Sequence, residues 1–107
     1  MSNQNLTGKW SCTDSGTYYI RQLGEEILWY GERDLIDPQW SNVAHGTINN
    51  DLIVLRWMDV PKGIDRRYGV IVIEVSDDGN TLKTINAKAD SSEEYIPFDG
   101  YTWTKIS

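Results

Sequence analysis

Residues 68–87 read Tyr-Gly-Val-Ile-Val-Ile-Glu-Val-Ser-Asp-Asp-Gly-Asn-Thr-Leu-Lys-Thr-Ile-Asn-Ala. Two β-rich runs, Tyr68 to Val75 and Thr81 to Ala87, flank Asp77-Asp78-Gly79-Asn80. Valine, isoleucine and threonine favour a pleated surface, and Asp, Gly and Asn tolerate the positive φ of a tight hairpin. The stretch predicts two antiparallel strands joined by a short turn.

The same grammar extends in both directions. Upstream, Leu52 to Val60 is a long β-like run that follows the turn residues Asn49-Asn50-Asp51, with Trp40 to Ile48 before them. Further back lie Glu26 to Gly31, Thr17 to Gln22 and Leu6 to Cys12, separated by Leu23-Gly24-Glu25 and Thr13-Asp14-Ser15-Gly16. Loops are expected at Asp37-Pro38, at Pro61 to Asp65 and from Asp90 to Gly100, before a last strand from Tyr101 to Ile106. No window carries a helical stripe; the stretch from Ala87 to Tyr95 has room for one turn at most. About eight short strands at regular spacing indicate a sandwich or a barrel. Short connections favour nearest-neighbour pairing, and closure removes the edges that such strands otherwise expose. The expected fold is all-β: a single antiparallel up-and-down meander barrel of about eight strands, with residues 1–107 as one domain and 1–5 as a flexible N-terminus.

Composition narrows the partners. The chain of 107 residues has 10 basic and 16 acidic side chains, a formal charge of −6. That balance opposes a phosphate backbone, which needs clustered Lys and Arg, and equally an anionic membrane surface. Neither nucleic acid nor membrane is expected as a partner. One cysteine, Cys12, rules out an intrachain disulfide and any multi-cysteine metal site. The opening Met-Ser-Asn-Gln-Asn shows neither a basic nor an apolar leader region, so a cytoplasmic location is expected.

Gly8-Lys9-Trp10 opens the first strand, and Trp103-Thr104-Lys105 lies in the last. This pairing resembles the signature of the calycins, the lipocalins, fatty-acid-binding proteins and avidins. The resemblance implies that Trp10 packs across the closed end of the barrel and that Lys105 covers its ring. From Gly8 to Gly69 the chain is also similar to small, mostly uncharacterised bacterial domains. The pieces are Gly16-Thr17-Tyr18-Tyr19-Ile20-Arg21-Gln22, Trp29, Asn42-Val43-Ala44-His45-Gly46-Thr47-Ile48 and Trp57-Met58-Asp59-Val60-Pro61-Lys62-Gly63. That similarity implies a fold and no chemistry. The polar set with which avidins hold biotin has no counterpart here.

Candidate site residues come from the strands. Tyr19, Arg21, Trp29, His45, Trp57 and Asp59 combine aromatic walls with a few hydrogen-bonding groups, as a small-molecule barrel site requires. The bland alternative is a barrel filled by its own side chains, because eight strands enclose barely enough room for more. His45 is the only histidine, so it cannot build a multi-histidine metal centre. Asp77-Asp78-Gly79-Asn80 has a superficial likeness to a calcium loop but lacks its remaining oxygen ligands. Asp34, Asp37 and Asp90 read as further turn acids. No phosphate loop, nucleophile elbow, zinc motif or dinucleotide fingerprint is present. No catalytic residue, metal or cofactor is expected.

Two readings follow. In the first, a non-enzymatic binding protein holds a small, partly apolar or aromatic ligand in an aromatic-lined barrel pocket. In the second, the chain is a protein-interaction or homo-oligomerisation module with a filled barrel and no ligand. Strands five and six carry the discriminating pattern. Leu52, Val54, Arg56 and Met58 alternate with Ile53, Leu55, Trp57 and Asp59; Val70, Val72 and Glu74 alternate with Ile71, Ile73 and Val75. Both faces are substantially apolar, so the outer one either packs on another subunit or lies under loops.

Overall fold

The computed structural model describes residues 5–33, 39–64, 66–88 and 101–107, the side chains of 86–88 excepted. Eight strands follow in order: β1 (Gly8–Cys12), β2 (Thr17–Leu23), β3 (Glu26–Glu32), β4 (Ser41–Asn49), β5 (Leu52–Asp59), β6 (Tyr68–Val75), β7 (Thr81–Lys88) and β8 (Thr102–Lys105). Each pairs antiparallel with its sequence neighbours, and β8 returns to β1 to close the barrel. The expected all-β meander is what the chain forms. Asp34, Asp37-Pro38, the Asp90 to Gly100 loop, residues 1–4 and the possible helical turn beyond Lys88 lie outside the described residues.

Turn chemistry sets the hairpins as read. Asn50 takes φ 57° between β4 and β5, and Gly79 takes φ 73° between β6 and β7. In the latter turn the Asp78 carboxylate accepts from Ser76 Oγ at 2.6 Å and from the Asn80 amide at 3.0 Å. These bonds hold the carboxyl below the usual aspartate range, the Ser76 hydroxyl contributing most. Among the described residues, no group of three or more His, Cys, Asp or Glu side chains gathers to hold a metal.

Two strand boundaries differ from those expected. β1 begins at Gly8 rather than Leu6, because the Leu6 amide donates to Gln22 Oε1 at 3.0 Å instead of to a ladder. β4 begins at Ser41, one residue after Trp40, whose ring packs over Gly16. The seam is secured by Trp10 opposite Lys105 and Cys12 opposite Trp103, with Ile106 N donating to Lys9 O at 2.7 Å. No helix among the described residues is long and apolar enough to cross a membrane.

Period 2 then decides what is inside. The inward set includes Trp10, Tyr18, Ile20, Ile27, Trp29, Ile53, Leu55, Trp57, Ile71, Ile73, Leu82 and Trp103, all buried. Their outward neighbours Tyr19, Leu28, Leu52, Val54 and Met58 remain exposed. Each buried Trp or Tyr removes about 150–250 Å² from water. Burial of this kind is the main favourable term in holding the barrel closed.

Candidate functional site

A cluster of rings packs inside the barrel. Tyr18 meets Trp29 edge-on at 5.1 Å between centroids and Trp103 edge-on at 5.7 Å, while Trp29 and Trp103 lie 5.4 Å apart. Gly31 makes this possible, because a Cβ there would run into the Tyr18 ring. The polar atoms of Trp29, Tyr18 and Trp10 find partners within the chain. Trp29 Nε1 donates to Asn42 Oδ1 at 2.8 Å, and Tyr18 OH donates to Asp14 Oδ2 at 2.6 Å. Trp10 Nε1 donates to Leu6 O at 2.9 Å. Burial, aided by the Asp14 charge, pushes both the Tyr18 hydroxyl and the Cys12 thiol well above their ordinary ranges. Both groups stay neutral at physiological pH, and Cys12 is an inert core thiol.

The six residues singled out in the sequence divide across the wall. Trp29, Trp57 and Asp59 belong to the inner face; Tyr19, Arg21 and His45 belong to the outer one. Asp59 is tied down, accepting from the Arg67 amide at 2.8 Å and from Arg67 Nε at 3.2 Å. Its carboxylate is almost fully enclosed there, so it acts as an anchor for the segment entering β6. Alternation places these residues on opposite sides of one sheet, and they do not form a single constellation.

On the outside, register assembles three of them with residues the sequence reading passed over. Arg21 stands opposite Leu28, Leu28 opposite His45, and His45 opposite Arg56, one row across β2 to β5. Two residues along, Leu23, Glu26, Thr47 and Val54 form a parallel row. Between the two rows lies a groove of about 450 Å³, with the Ile27–Gly46 pair beneath it. Gly46 is dictated by close approach, because a Cβ there would collide with the Val54 carbonyl. On the other side of the Arg21 row, Tyr19, Tyr30, Val43 and Met58 form a third row. It flanks a smaller groove of about 170 Å³.

At the far end of this wall Glu32 is buried under Lys62, whose Nζ donates to Glu32 Oε1 at 3.0 Å; Tyr30 OH donates to the same oxygen at 2.9 Å. The hydrogen bond to Glu32 raises the Lys62 ammonium, whereas partial burial and then Glu32 raise the Tyr30 hydroxyl. The cluster pins the loop after β5 against β3. Lys62 therefore stays charged and Tyr30 neutral at physiological pH.

In comparisons with known proteins, no family model, no curated protein and no solved structure matches the chain.

Proposed function

We propose that the protein is a non-enzymatic interaction module that assembles with a second copy through the outer wall of β3, β4 and β5. One observation carries this reading: the two faces of the same strands have different occupants. Inward, Tyr18, Trp29 and Trp103 pack ring against ring in the core, and Trp10 is fully buried. Outward, Leu28, Val54 and Met58 stand 54%, 49% and 41% exposed on β3 and β5. Leu28 and Met58 are joined across the strands by Tyr19, Tyr30 and Val43, and continuous apolar surface on a small acidic protein is most simply explained by a protein partner. Homo-oligomers with two-fold symmetry are the commonest way to cover such a face.

The calycin resemblance of Gly8-Lys9-Trp10 and Lys105 agrees with this barrel, since Trp10 is fully buried and Lys105 stands opposite it. A small apolar or aromatic ligand inside the barrel would have to share the core with these rings, so it is the weaker alternative. Sedimentation equilibrium of the wild type and of Val54→Lys tests the reading. The wild type should sediment at twice the chain mass and the variant at the chain mass, with unchanged circular dichroism. A monomeric wild type, or a dimer that Val54→Lys leaves intact, overturns it.

A further inference from the structure

The middle of the outer wall carries one imidazole. We infer that protonation of His45 dissociates the two copies, so that assembly is lost as pH falls below about 6.5. This inference rests on the second-copy assembly proposed above.

The outer wall of a closed barrel is convex, so a partner meets its crest. β4 is the middle strand of the three in the proposed contact. His45 lies on its outer face, exposed, opposite Leu28 of β3 and Arg56 of β5. It makes no hydrogen bond or ion pair with the described residues. Its diagonal neighbours on β5 are Val54 and Met58, which together with Leu28 form the apolar surface that a second copy covers. A partner seated on those three side chains covers the ring between them. A neutral imidazole tolerates that burial, whereas a charged one loses the water that stabilises it.

The charges around the ring do not offset this loss. Glu26, diagonal to His45 on β3, is equally diagonal to Arg21 on β2, so its carboxylate is shared with a permanent cation. Tyr30, the other diagonal neighbour on β3, is neutral at physiological pH. Arg56 is engaged in an interaction of its own and enters the balance on neither side. On β4 itself the flanking outward residues, Val43 and Thr47, are uncharged. Desolvation therefore decides the sign. The dimer binds fewer protons than two free copies, and acid favours the free copies.

Net charge alone predicts the opposite trend. Each copy carries a formal −6 at pH 7, and repulsion between copies weakens as pH approaches the isoelectric value near 4.6. Dissociation by acid in a folded protein is thus a signature of the imidazole and not of the overall charge.

The test is sedimentation of the wild type, His45→Gln and His45→Lys at about pH 8 and about pH 5.5, on either side of the imidazole range, with circular dichroism at both. An unperturbed imidazole is about nine-tenths charged one unit below its usual value. With one ring per copy, the wild-type dimer should be weaker in the acid sample by up to roughly a hundredfold. His45→Gln should dimerise at both pH values, and His45→Lys should be weak at both. His45 is the only histidine, so its ring-proton signal reports directly: the inflection of its NMR titration should move to lower pH as protein concentration rises. That readout holds even where a substitution at the contact weakens the dimer by itself. A wild-type dimer equally tight at both pH values, acid weakening that His45→Gln shares, or an inflection unmoved by concentration in a dimerising sample removes His45 as the switch and leaves the outer-wall assembly standing. A wild type that is monomeric at the higher pH overturns both.

Discussion

Inside the barrel, the Trp29 indole N–H donates to Asn42 Oδ1 at 2.8 Å, with both side chains fully buried. The bond joins β3 to β4 at the interior and fixes the orientation of a ring that also touches Tyr18 and Trp103. Replacing Asn42 with Leu keeps much of the volume and deletes the acceptor. A buried donor left without its partner costs about 1–3 kcal/mol. Urea denaturation of Asn42→Leu should show a lower midpoint by a corresponding amount; an unchanged midpoint would mean the bond contributes nothing net.

Trp10→Ala removes a wholly buried ring from the seam strand and should cost about 3–5 kcal/mol. Tyr19→Ala, one strand away on the outer face, provides the control. Surface substitutions usually stay within about 0.5 kcal/mol. Comparable midpoints for the two variants would place Trp10 outside the core and undo the inward assignment.

Asp78 gives a pH signature with a definite sign. Its folded-state pKa is depressed by the Ser76 hydroxyl and the Asn80 amide, so its contribution to the turn is present above the unfolded pKa. That contribution is lost as pH falls through the folded value. NMR titration should place the Asp78 inflection below the usual aspartate range, and Ser76→Ala should move it upward. An inflection that Ser76→Ala does not move would dismiss the hydroxyl as the cause.

Much of the fold was legible because turn chemistry is local. Asn49-Asn50-Asp51 and Asp77-Asp78-Gly79-Asn80 mark hairpins through the φ they permit, and the strands between them carry β-branched residues. β6 has the limits read from its sequence, Tyr68 and Val75. The site was legible only in pieces. Alternation groups Trp57 with Ile53 and Leu55, but both faces of β5 are apolar, so period 2 alone does not say which is interior. Only closure of the sheet decides it, and closure puts Tyr19, Arg21 and His45 outside. Leu23, Glu26 and Thr47 join them through cross-strand register, which no single segment displays. Gly46 was the available signal, since a lone glycine within a strand pattern marks a close backbone approach.

In the proposed assembly the inner face of the barrel packs on itself while the outer face of β3 to β5 packs on a second copy. Methyl NMR spectra over a dilution series separate the two faces directly. The methyl signals of Leu28, Val43 and Val54 should move with protein concentration, while those of Ile53, Ile71 and Leu82 should stay fixed. Outer-wall signals that are indifferent to dilution in a dimerising sample, or shifts confined to residues at the barrel ends, would show that the copies do not meet through this wall.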